Sequence, residues 1–468
     1  MSVNADMSFT PTLHDVHNLL DESVVGEFEA RMAVFTNWLL AHRNVNLAGQ
    51  RASGKTHISV AVAKFLPDKN GLYNITSGSD KSGWYQAEAL KKHSHIMIPE
   101  LNKMPKDMLE VLKDWGEDRD SEYRVTVVEG GVRSVRKYKL PRKPFIFCLA
   151  DEQEEKIDDQ LRSRLTVIRT DSGEAQNVAV NIQQAKMAML PDNPFNVKDD
   201  KLFDKMKHHI LTLPPMSNIQ FKHPSATSFV SCIPTYFTDC RRDFPKYLSN
   251  TFGITRFFWK HRLYVNINNI NTYISTPEDM YLNHIIYGNT LVESSLRCSN
   301  MERHLINILQ QASEALNRQQ IQSAVRQMGL NISAHMITRH LTTLADLGYI
   351  AIEKTGYKNA LYSPGPLFKE FNFSIDWKQI IEDTKENIIK YYPTIAEEYI
   401  RRFCDNPTAI HPFTGQKINL LDLKVEEHKP QEQYEKFEVT NENIIEQEQD
   451  AFDDFTDDLI VEEEVVEE

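Results

Sequence analysis

The sequence predicts an α/β fold followed by a smaller α+β domain, and three stretches of the chain carry this prediction. A short apolar run, a glycine-rich loop and a second apolar run follow one another at residues 45–66, which is the strand–loop–helix order of phosphate-binding α/β domains. Residues 300–364 contain three helix patterns and one hairpin pattern. Residues 424–468 are strongly acidic, and we expect this tail to be disordered because charge repulsion outweighs its few apolar residues.

The length and the charge distribution limit the architecture and the partners. A chain of 468 residues is too long for one hydrophobic core, so we expect several domains. The net charge is −13, but residues 424–468 hold 18 acidic residues and 3 lysines, which leaves the preceding part of the chain close to neutral. A near-neutral body can still bind nucleic acid through a local basic patch.

Cysteine usage and hydropathy indicate the compartment. The five cysteines are scattered and form no CxxC pair, which argues against a zinc ribbon or a disulfide framework. The sequence has no run of about 18 apolar residues, and its first residues lack the basic segment and apolar core of a signal peptide. We therefore expect a cytoplasmic protein that does not span a membrane.

The glycine-rich loop is the most specific motif. Gly49 is followed by four residues and then by Gly54, Lys55 and Thr56, the spacing with which backbone N–H groups surround a β-phosphate. Lys55 is placed to neutralise the β- and γ-phosphate oxygens, and Thr56 to hold Mg²⁺ through its hydroxyl. A chance match in a loop is the alternative. The candidate nucleotide-binding residues here are Gly49, Ser53, Gly54, Lys55, Thr56 and His57.

A carboxylate follows the next apolar run. Ile96, Met97 and Ile98 form a predicted buried strand, and Glu100 comes just after its carboxyl end. A carboxylate in this position can orient or deprotonate the water that attacks a phosphate. Glu100 is therefore a candidate catalytic residue and an indirect metal ligand. The alternative is that Glu100 only caps a turn.

Two arginines follow a third predicted strand, residues 145–149. Arg162 and Arg164 come after a short acidic helix pattern. Arginine can stabilise the charge that develops on a transferring phosphoryl group, often across a subunit boundary. Lys55, Glu100, Arg162 and Arg164 are thus the candidate catalytic residues. The alternative for the two arginines is an ordinary surface position.

Taken in order, these segments resemble those of AAA+ ATPases over roughly residues 20–295. DESVVGEFEARM (21–32) resembles the leader helix, GQRASGKT the Walker A motif, IMIPE a degenerate Walker B motif, and LRSRL the arginine-finger segment. DCRRDFPKYL resembles the start of a sensor-2 helix, with Arg241 or Arg242 facing the nucleotide. The resemblance implies a P-loop AAA+ domain with a helical lid, and ATP and Mg²⁺ as cofactors.

Two positions depart from the AAA+ pattern. Pro99 stands where most such ATPases have a metal-binding Asp, so a metal would rely on Thr56, water and Glu100. Ala150 and Asp151 end the third strand, where these ATPases commonly have Asn or Thr. Both departures favour a slow nucleotide switch over a fast motor.

Residues 122–143 contain a basic hairpin pattern. Two β-branched runs flank Gly130-Gly131, a two-residue turn signal, and residues 124–143 include seven Lys/Arg and one acid. The segment resembles the pre-sensor-1 hairpin of hexameric DNA translocases, such as minichromosome maintenance helicases and AAA+ helicases of integrative elements. In those families it grips single-stranded DNA in the central channel of the ring. An exposed hairpin without a ligand is the alternative. The candidate DNA-binding residues are Arg133, Arg136, Lys137 and Lys139.

Residues 300–364 resemble a winged-helix domain. The third helix pattern would enter the major groove of duplex DNA, and it presents His335, Thr338, Arg339 and Thr342. Lys354 and Lys358 would lie on the wing near the phosphates. Because the third helix has few basic residues, a protein-binding or structural role is the alternative.

The predicted domains follow from these boundaries. A helical segment, residues 365–423, is expected after the winged helix, with a break near Pro393. The acidic tail is expected to recruit a replication partner, to mimic nucleic acid, or only to increase solubility. The predicted organisation is an N-terminal extension (1–20), an ATPase core (21–190), a helical lid (191–299), a winged helix (300–364), a helical segment (365–423) and the tail (424–468).

Three functions remain open on the sequence alone. The first is an ATP-dependent DNA translocase or helicase, a homo-hexamer serving replication of a mobile element, plasmid or virus. The second is an ATP-gated replication initiator or helicase loader that binds DNA through the winged helix. The third is a DNA-binding regulator that does not hydrolyse ATP. Nucleotide turnover eliminates the third, and strand displacement separates the first two.

Overall fold

The computed structural model describes most of the chain. The described residues are 9–75, 87–104, 106–129, 132–150, 159–171, 173–189, 200–232, 240–295, 298, 300–328, 332–356, 359–365 and 375–423. The predicted acidic tail and Asp151 therefore lie outside the described residues, and Ala150 is the last described residue before them. Residues 9–295 and 375–423 of the described part form one compact unit, and residues 298–365 form a second.

The helices and strands are numbered in chain order. The helices are α1 (Leu13–Asp21), α2 (Phe28–Val34), α3 (Lys55–Ala63), α4 (Ala87–Lys92), α5 (Lys106–Gly116), α6 (Asp159–Arg162), α7 (Glu174–Met189), α8 (Asp200–Leu211), α9 (Cys240–Phe257), α10 (Pro277–Ser295), α11 (Asn300–Gln311), α12 (Arg318–Gln327), α13 (Ala334–Asp346), α14 (Trp377–Tyr391) and α15 (Ala396–Phe403). The strands are β1 (Val45–Gly49), β2 (Leu72–Asn74), β3 (His95–Ile98), β4 (Ser121–Glu129), β5 (Val132–Leu140), β6 (Phe145–Ala150), β7 (Thr166–Arg169), β8 (Ile219–Lys222), β9 (Tyr264–Ile267), β10 (Ile270–Ile274), β11 (Leu316–Asn317), β12 (Ile350–Gly356), β13 (Asn359–Pro364), β14 (Thr408–Ile410) and β15 (Lys417–Asn419).

A five-stranded parallel sheet forms the centre of the first unit. Its strand order is β2-β3-β6-β1-β7, and every adjacent pair is parallel. All residues of β1 and β3 are buried, as expected for strands covered by helices on both faces. The predicted α/β class is thus confirmed, and this sheet is consistent with the P-loop AAA+ fold that the motifs imply.

The leader segment is not the single helix that the sequence predicts. Helix α1 ends at Asp21 and α2 begins at Phe28, so the predicted helix over 21–32 is wrong in its first half. The break has a backbone cause, because Gly26 and Glu27 both have positive φ, 62° and 54°, which a right-handed helix does not allow. The segment 35–40 then continues α2 as a π-helix.

The region predicted as a helical lid, residues 191–299, contains a small sheet beside its helices, so it is not purely helical. Helices α9 and α10 are present as predicted, but α8 and the strand β8 occupy a region where the sequence predicted only connections. Strand β8 joins β10 and β9 in a three-stranded sheet. The turn between β9 and β10 has two asparagines with positive φ, Asn268 and Asn269, which match a tight hairpin turn.

Residues 375–423 pack on the first unit. The predicted break near Pro393 is confirmed, since it separates α14 from α15. Tyr399 Oη donates a hydrogen bond to Ser275 O at 2.6 Å. Trp377 is buried and its ring contacts those of Phe229 and Tyr281. These residues therefore belong to the core of the first unit.

The second unit contains three helices and a three-stranded sheet. The chain order is α11, β11, α12, α13, β12 and β13, with sheet order β11-β13-β12. Asn317 and Gln320 form a capping box at α12. The predicted centre of the hairpin, Thr355-Gly356, lies within β12 and is therefore wrong, since Gly356 pairs with Asn359 of β13. The short strand β11 was missed, because two residues carry no alternation to recognise.

Candidate functional site

The glycine-rich loop lies at the carboxyl edge of the parallel sheet. Gly49 ends β1 and lies level with Ala150 at the end of β6, and Lys55 begins α3. Two residues of the loop have a left-handed backbone conformation: Ala52 and Gly54, with positive φ of 65° and 78°. A crevice outside the carboxyl ends of parallel strands is where such folds bind ligands.

The loop is closed around the ammonium group of Lys55. Its Nζ donates hydrogen bonds to Gly49 O at 2.9 Å and to Ser53 Oγ at 3.2 Å, and it also bonds to Gln50 O. The side chain is buried. No atom lies within 4 Å of the point where a side chain at Gly54 would begin. The loop thus presents a buried cation beside open space, an arrangement that suits an anionic group such as phosphate.

Thr170 holds the loop from the neighbouring strand. It follows β7, its hydroxyl hydrogen-bonds Ser53 Oγ at 2.7 Å, and it donates to Ala48 O at 3.3 Å. A Cβ on Gly49 would lie 2.0 Å from Thr170 Oγ1, so this contact requires glycine. Sequence analysis missed Thr170, although a polar residue directly after a strand beside β1 was a usable signal.

Glu27 is a second residue that sequence analysis missed. Both of its carboxylate oxygens accept from the backbone N–H of Asp171, at 3.0 and 3.1 Å. Burial raises the pKa of Glu27 from 4.5 to about 8, against the opposing effects of the Asp171 N–H and the positive charges of Arg31 and Lys55. The loop before α2 therefore places a protonatable acid beside the glycine-rich loop.

Thr56 and His57 are exposed at the start of α3. The His57 ring is fixed by a hydrogen bond from Nε2 to Ser23 O at 2.6 Å. Thr56 is exposed as a residue, and its hydroxyl is in hydrogen-bonding contact with the buried thiol of Cys148. The donor set of Lys55, Thr56 and the loop amides therefore fits a Mg²⁺–nucleotide, with Thr56 as the protein's own metal contact.

Glu100 lies at the same edge of the sheet as the loop. Ile98 of β3 is level with Phe147 of β6, which is level with Asn46 of β1, so Glu100 is level with the end of β1. The two strands β3 and β1 are separated by β6, so Glu100 lies about 10 Å to the side of β1. Its carboxylate is 2.8 Å from Lys103 Nζ, and both side chains are about half exposed (52% and 55%). An exposed pair of this kind is weak, so Glu100 can turn toward a ligand at little cost.

The two arginines lie at the opposite, amino edge of the sheet. Arg164 comes two residues before β7, whose first residue Thr166 is level with Val45. The length of β1 then separates them from Gly49 of the same chain by about 13 Å. Arg164 pairs with Glu117 and donates to Lys113 O at 3.1 Å, whereas Arg162 is half-exposed at the end of α6.

The predicted sensor-2 arginines are also distant from the loop of their own chain. Arg241 and Arg242 are exposed in the first turn of α9. Arg242 hydrogen-bonds Ser163 Oγ, between the two candidate finger arginines. The structure thus brings Arg162, Arg164 and Arg242 together at the amino edge, and separates them from Lys55 at the carboxyl edge.

The predicted basic hairpin is confirmed as an antiparallel pair, β4 and β5. Positions 133, 136, 137 and 139 lie opposite 128, 125, 124 and 122. The side chains of Arg133 and Arg136 lie outside the described residues, while Lys137 and Lys139 are exposed. Since β5 leads into the start of β6 through residues 141–144, the hairpin base also lies at the amino edge of the sheet.

An ionic network fixes the base of the hairpin. Asp118 lies 2.8 Å from Arg142 and 3.2 Å from Arg43. The backbone N–H of Arg142 donates to Asp120 at 2.9 Å and, as the main cause, lowers the pKa of Asp120. Lys139 is 3.3 Å from the same carboxylate. These contacts tie the base of the hairpin to Arg43, Asp118 and Asp120 where it leaves the sheet.

The second unit places its candidate DNA contacts on different elements. His335 and Arg339 are exposed on α13. The hydroxyls of Thr338 and Thr342 donate to carbonyls one turn earlier in the same helix, at 2.9 and 3.0 Å. Lys354 is exposed on β12, and Lys358 lies outside the described residues.

The chain has been compared with known proteins. No protein-family model matches it, and no curated protein matches it. Among solved structures, an inferred ATPase from Cytophaga hutchinsonii is similar at 12% identity and a TM-score of 0.35, over 59% of this chain and 85% of that one. A full-length MCM homologue from Methanopyrus kandleri is similar at 10% identity and a TM-score of 0.36, over 60% of this chain and 59% of that one. Within the described residues, no helix has the length and apolarity to cross a membrane.

Proposed function

We propose that this protein is an AAA+ ATPase that hydrolyses ATP to move along DNA. The observation that carries this proposal is the loop around Lys55, where a buried ammonium adjoins open space at Gly54. The oxygens that Lys55 now contacts belong to its own loop, and phosphate oxygens would replace them on binding. Thr56 is exposed next to this position and would hold Mg²⁺, which neutralises charge on the phosphates.

Glu100 is the residue that would activate water in this proposal. It lies at the same sheet edge as the loop, and its exposed pairing with Lys103 leaves it movable. Pro99 supplies no second carboxylate. Metal binding then depends on Thr56, which favours a slow turnover.

The position of the arginines supports assembly into a ring. Because about 13 Å of β1 separates them from the loop of their own chain, an arginine that stabilises transferring phosphate must come from another copy. Arg164 is engaged by Glu117, so Arg162 is the better candidate for this role. A homo-hexamer would repeat this head-to-tail contact and close it.

DNA contacts are proposed for two surfaces. The basic strand β5 of the β4–β5 hairpin supports a role in gripping single-stranded DNA, with Lys137 and Lys139 exposed and Arg133 and Arg136 on the same strand. The order of elements in the second unit supports a winged helix that binds duplex DNA, with Arg339 on its third helix. These features suit replication of a mobile element, plasmid or virus in the cytoplasm, and the acidic tail is the proposed contact for a replication partner.

A nucleotide-gated initiator or loader is the second candidate. Two observations favour it. Arg164 is already paired with Glu117, and Pro99 supplies no carboxylate for a metal ion, so both features would slow ATP hydrolysis. In that case nucleotide binding would drive assembly on DNA, and the second unit would select the sequence.

ATP turnover measured during titration with single-stranded DNA tests the proposal. Turnover that rises with DNA, disappears in Lys55→Ala and rises less in Arg136→Ala/Lys137→Ala would support a translocase. The matched control is Lys378→Ala/Lys390→Ala, which removes the same charge from α14 and should behave as the unmodified chain. Slow turnover that ignores DNA would support the initiator, and no turnover would leave a binding protein.

A further inference from the structure

A polar cluster lies between the start of α3 and the strand β6. It consists of Thr56 and Ser59 on the helix and Cys148 on the strand. Ser59 and Cys148 are buried, and Ser59 Oγ lies 3.7 Å from Cys148 Sγ. The Thr56 hydroxyl also hydrogen-bonds the thiol. Because Thr56 and Ser59 are three residues apart, they share one face of the helix, and the sulfur contacts both hydroxyls of that face.

The alternation of side chains along β6 explains why Cys148 meets α3. Phe145, Phe147 and Leu149 of this strand all pack in one hydrophobic cluster with α5. Successive side chains of a strand point to opposite faces of the sheet, so Cys148 points to the other face, against which α3 packs. Cys148 is level with Leu47 of β1. The thiol is therefore placed beside the strand that leads into the glycine-rich loop.

The number of protons in the cluster assigns the direction of each hydrogen bond. Ser59 donates its one hydroxyl proton to Lys55 O at 3.2 Å, so its oxygen accepts from the thiol of Cys148. Burial raises the pKa of Cys148, so the thiol keeps its single proton at neutral pH and gives it to Ser59. The sulfur can then only accept from the Thr56 hydroxyl. This leaves both lone pairs of the Thr56 oxygen available to a ligand.

A hydroxyl that binds a metal ion needs this arrangement. The ion takes a lone pair of the oxygen and makes the attached proton more acidic, so the proton requires an acceptor from the protein. Pro99 has no polar side chain, and the carboxylate of Glu100 is paired with Lys103. Cys148 provides an acceptor that already contacts Thr56.

We propose that Cys148 is a positioning residue for the metal-bound nucleotide: its sulfur holds the hydroxyl proton of Thr56 and so keeps the oxygen of Thr56 free for a metal ion. The inference rests on the proposed binding of a Mg²⁺–nucleotide at the glycine-rich loop. Cys148 acts through Thr56, so its effect is confined to the part of the nucleotide affinity that depends on Mg²⁺.

The test is calorimetric titration of the full chain with a non-hydrolysable ATP analogue, once with Mg²⁺ and once with EDTA. The ratio of the two affinities is the Mg²⁺ gain. Cys148→Ala should reduce this gain about fivefold, the change expected for one lost hydrogen bond, and should leave the affinity in EDTA unchanged. Cys148→Val should do the same while filling the volume of the thiol. Cys148→Ser restores an acceptor and should keep the gain within about twofold.

Two further variants complete the experiment. Cys404→Ala is the matched control, since it removes another buried thiol of the first unit and should leave both affinities unchanged. Thr56→Val removes the hydroxyl itself and should abolish the Mg²⁺ gain. In that background Cys148→Ala should have no further effect on the gain, because the two residues act through one hydrogen bond.

The outcomes separate this inference from the proposed function. A Mg²⁺ gain that is unchanged in both Cys148→Ala and Cys148→Val would overturn the inference. Equal losses of affinity with Mg²⁺ and with EDTA would also overturn it, since Cys148 would then only pack against the helix. In both cases nucleotide binding by the unmodified chain would still stand. An unmodified chain that binds no nucleotide under either condition would overturn the proposed function, and this inference with it.

Discussion

Substitution of Gly49 by alanine tests how the glycine-rich loop is held. The new methyl group would lie 2.0 Å from Thr170 Oγ1 and 3.1 Å from Ser53 Oγ, so the Thr170 hydroxyl must turn away. This breaks its hydrogen bonds to Ser53 Oγ and Ala48 O, at about 1 kcal/mol each. The φ of Gly49, +153°, adds about 2 kcal/mol of backbone strain for alanine. The expected cost is about 4 kcal/mol.

A double-mutant cycle separates the two contributions. Thr170→Ala alone removes the same two hydrogen bonds, so Gly49→Ala in that background should cost only its strain, about 2 kcal/mol. The coupling between the two substitutions is then about 2 kcal/mol. Gly54→Ala is the control, since Gly54 also has positive φ but has no atom within 4 Å of its Cβ position. Its effect should be additive with Thr170→Ala.

The assay is chemical unfolding followed by tryptophan fluorescence. All five tryptophans of the sequence fall outside the second unit, so the signal reports the first unit alone. If Gly49→Ala changes the loop conformation and leaves the stability of the first unit unchanged, its free-energy cost should appear as weaker ATP binding. The loss of affinity would then be up to roughly 10³-fold. Effects of Gly49→Ala and Thr170→Ala that add within about 0.5 kcal/mol in both measurements would refute the reasoning.

Three further predictions follow from other contacts. The pKa of Glu27 is about 8 in the folded protein and 4.5 in the unfolded chain, so folding takes up a proton at pH values between these two. The free energy of unfolding should therefore fall as pH rises from 5 to 8. Glu27→Gln should flatten this fall in a pH series of denaturant titrations. Arg164→Ala should destabilise the first unit by about 2 kcal/mol because it removes the partly buried ion pair with Glu117 and the hydrogen bond to Lys113 O, and leaves Glu117 only its pair with Arg119. Arg162→Ala should stay within about 0.5 kcal/mol. Equal effects of the two substitutions in fluorescence-detected unfolding would contradict the assigned contacts. Lys137→Ala/Lys139→Ala should reduce the slope of log affinity against log salt for single-stranded DNA by about 1.4, and an unchanged slope would exclude these two lysines from phosphate binding.

Local signals in the sequence were sufficient for the central strands and the loop between them. The strand, glycine-rich loop and helix at residues 45–63 could be predicted because hydrophobic runs, glycine spacing and turn residues act within a few positions of one another. The same holds for the β4–β5 hairpin and for the helices of the second unit. The leader helix failed because two residues, Gly26 and Glu27, take positive φ, and for Glu27 the residue type gives no warning of this.

Tertiary structure alone decided which candidate residues act together. Lys55 and Glu100 lie at the carboxyl edge of the sheet, whereas Arg162, Arg164 and Arg242 lie at the amino edge. The reason is that all strands of a parallel sheet have their carboxyl ends on the same side. Thr170 contacts Ser53 of the loop, 117 positions away along the chain. Glu27 contacts Asp171, which follows Thr170, 144 positions away. The sequence determined by itself the central strands, the residues of the glycine-rich loop and the basic hairpin, since these depend on neighbours along the chain. Long-range packing determined the pKa of Glu27 and the pairing of Arg164, because burial and ion pairing depend on what the folded chain brings near.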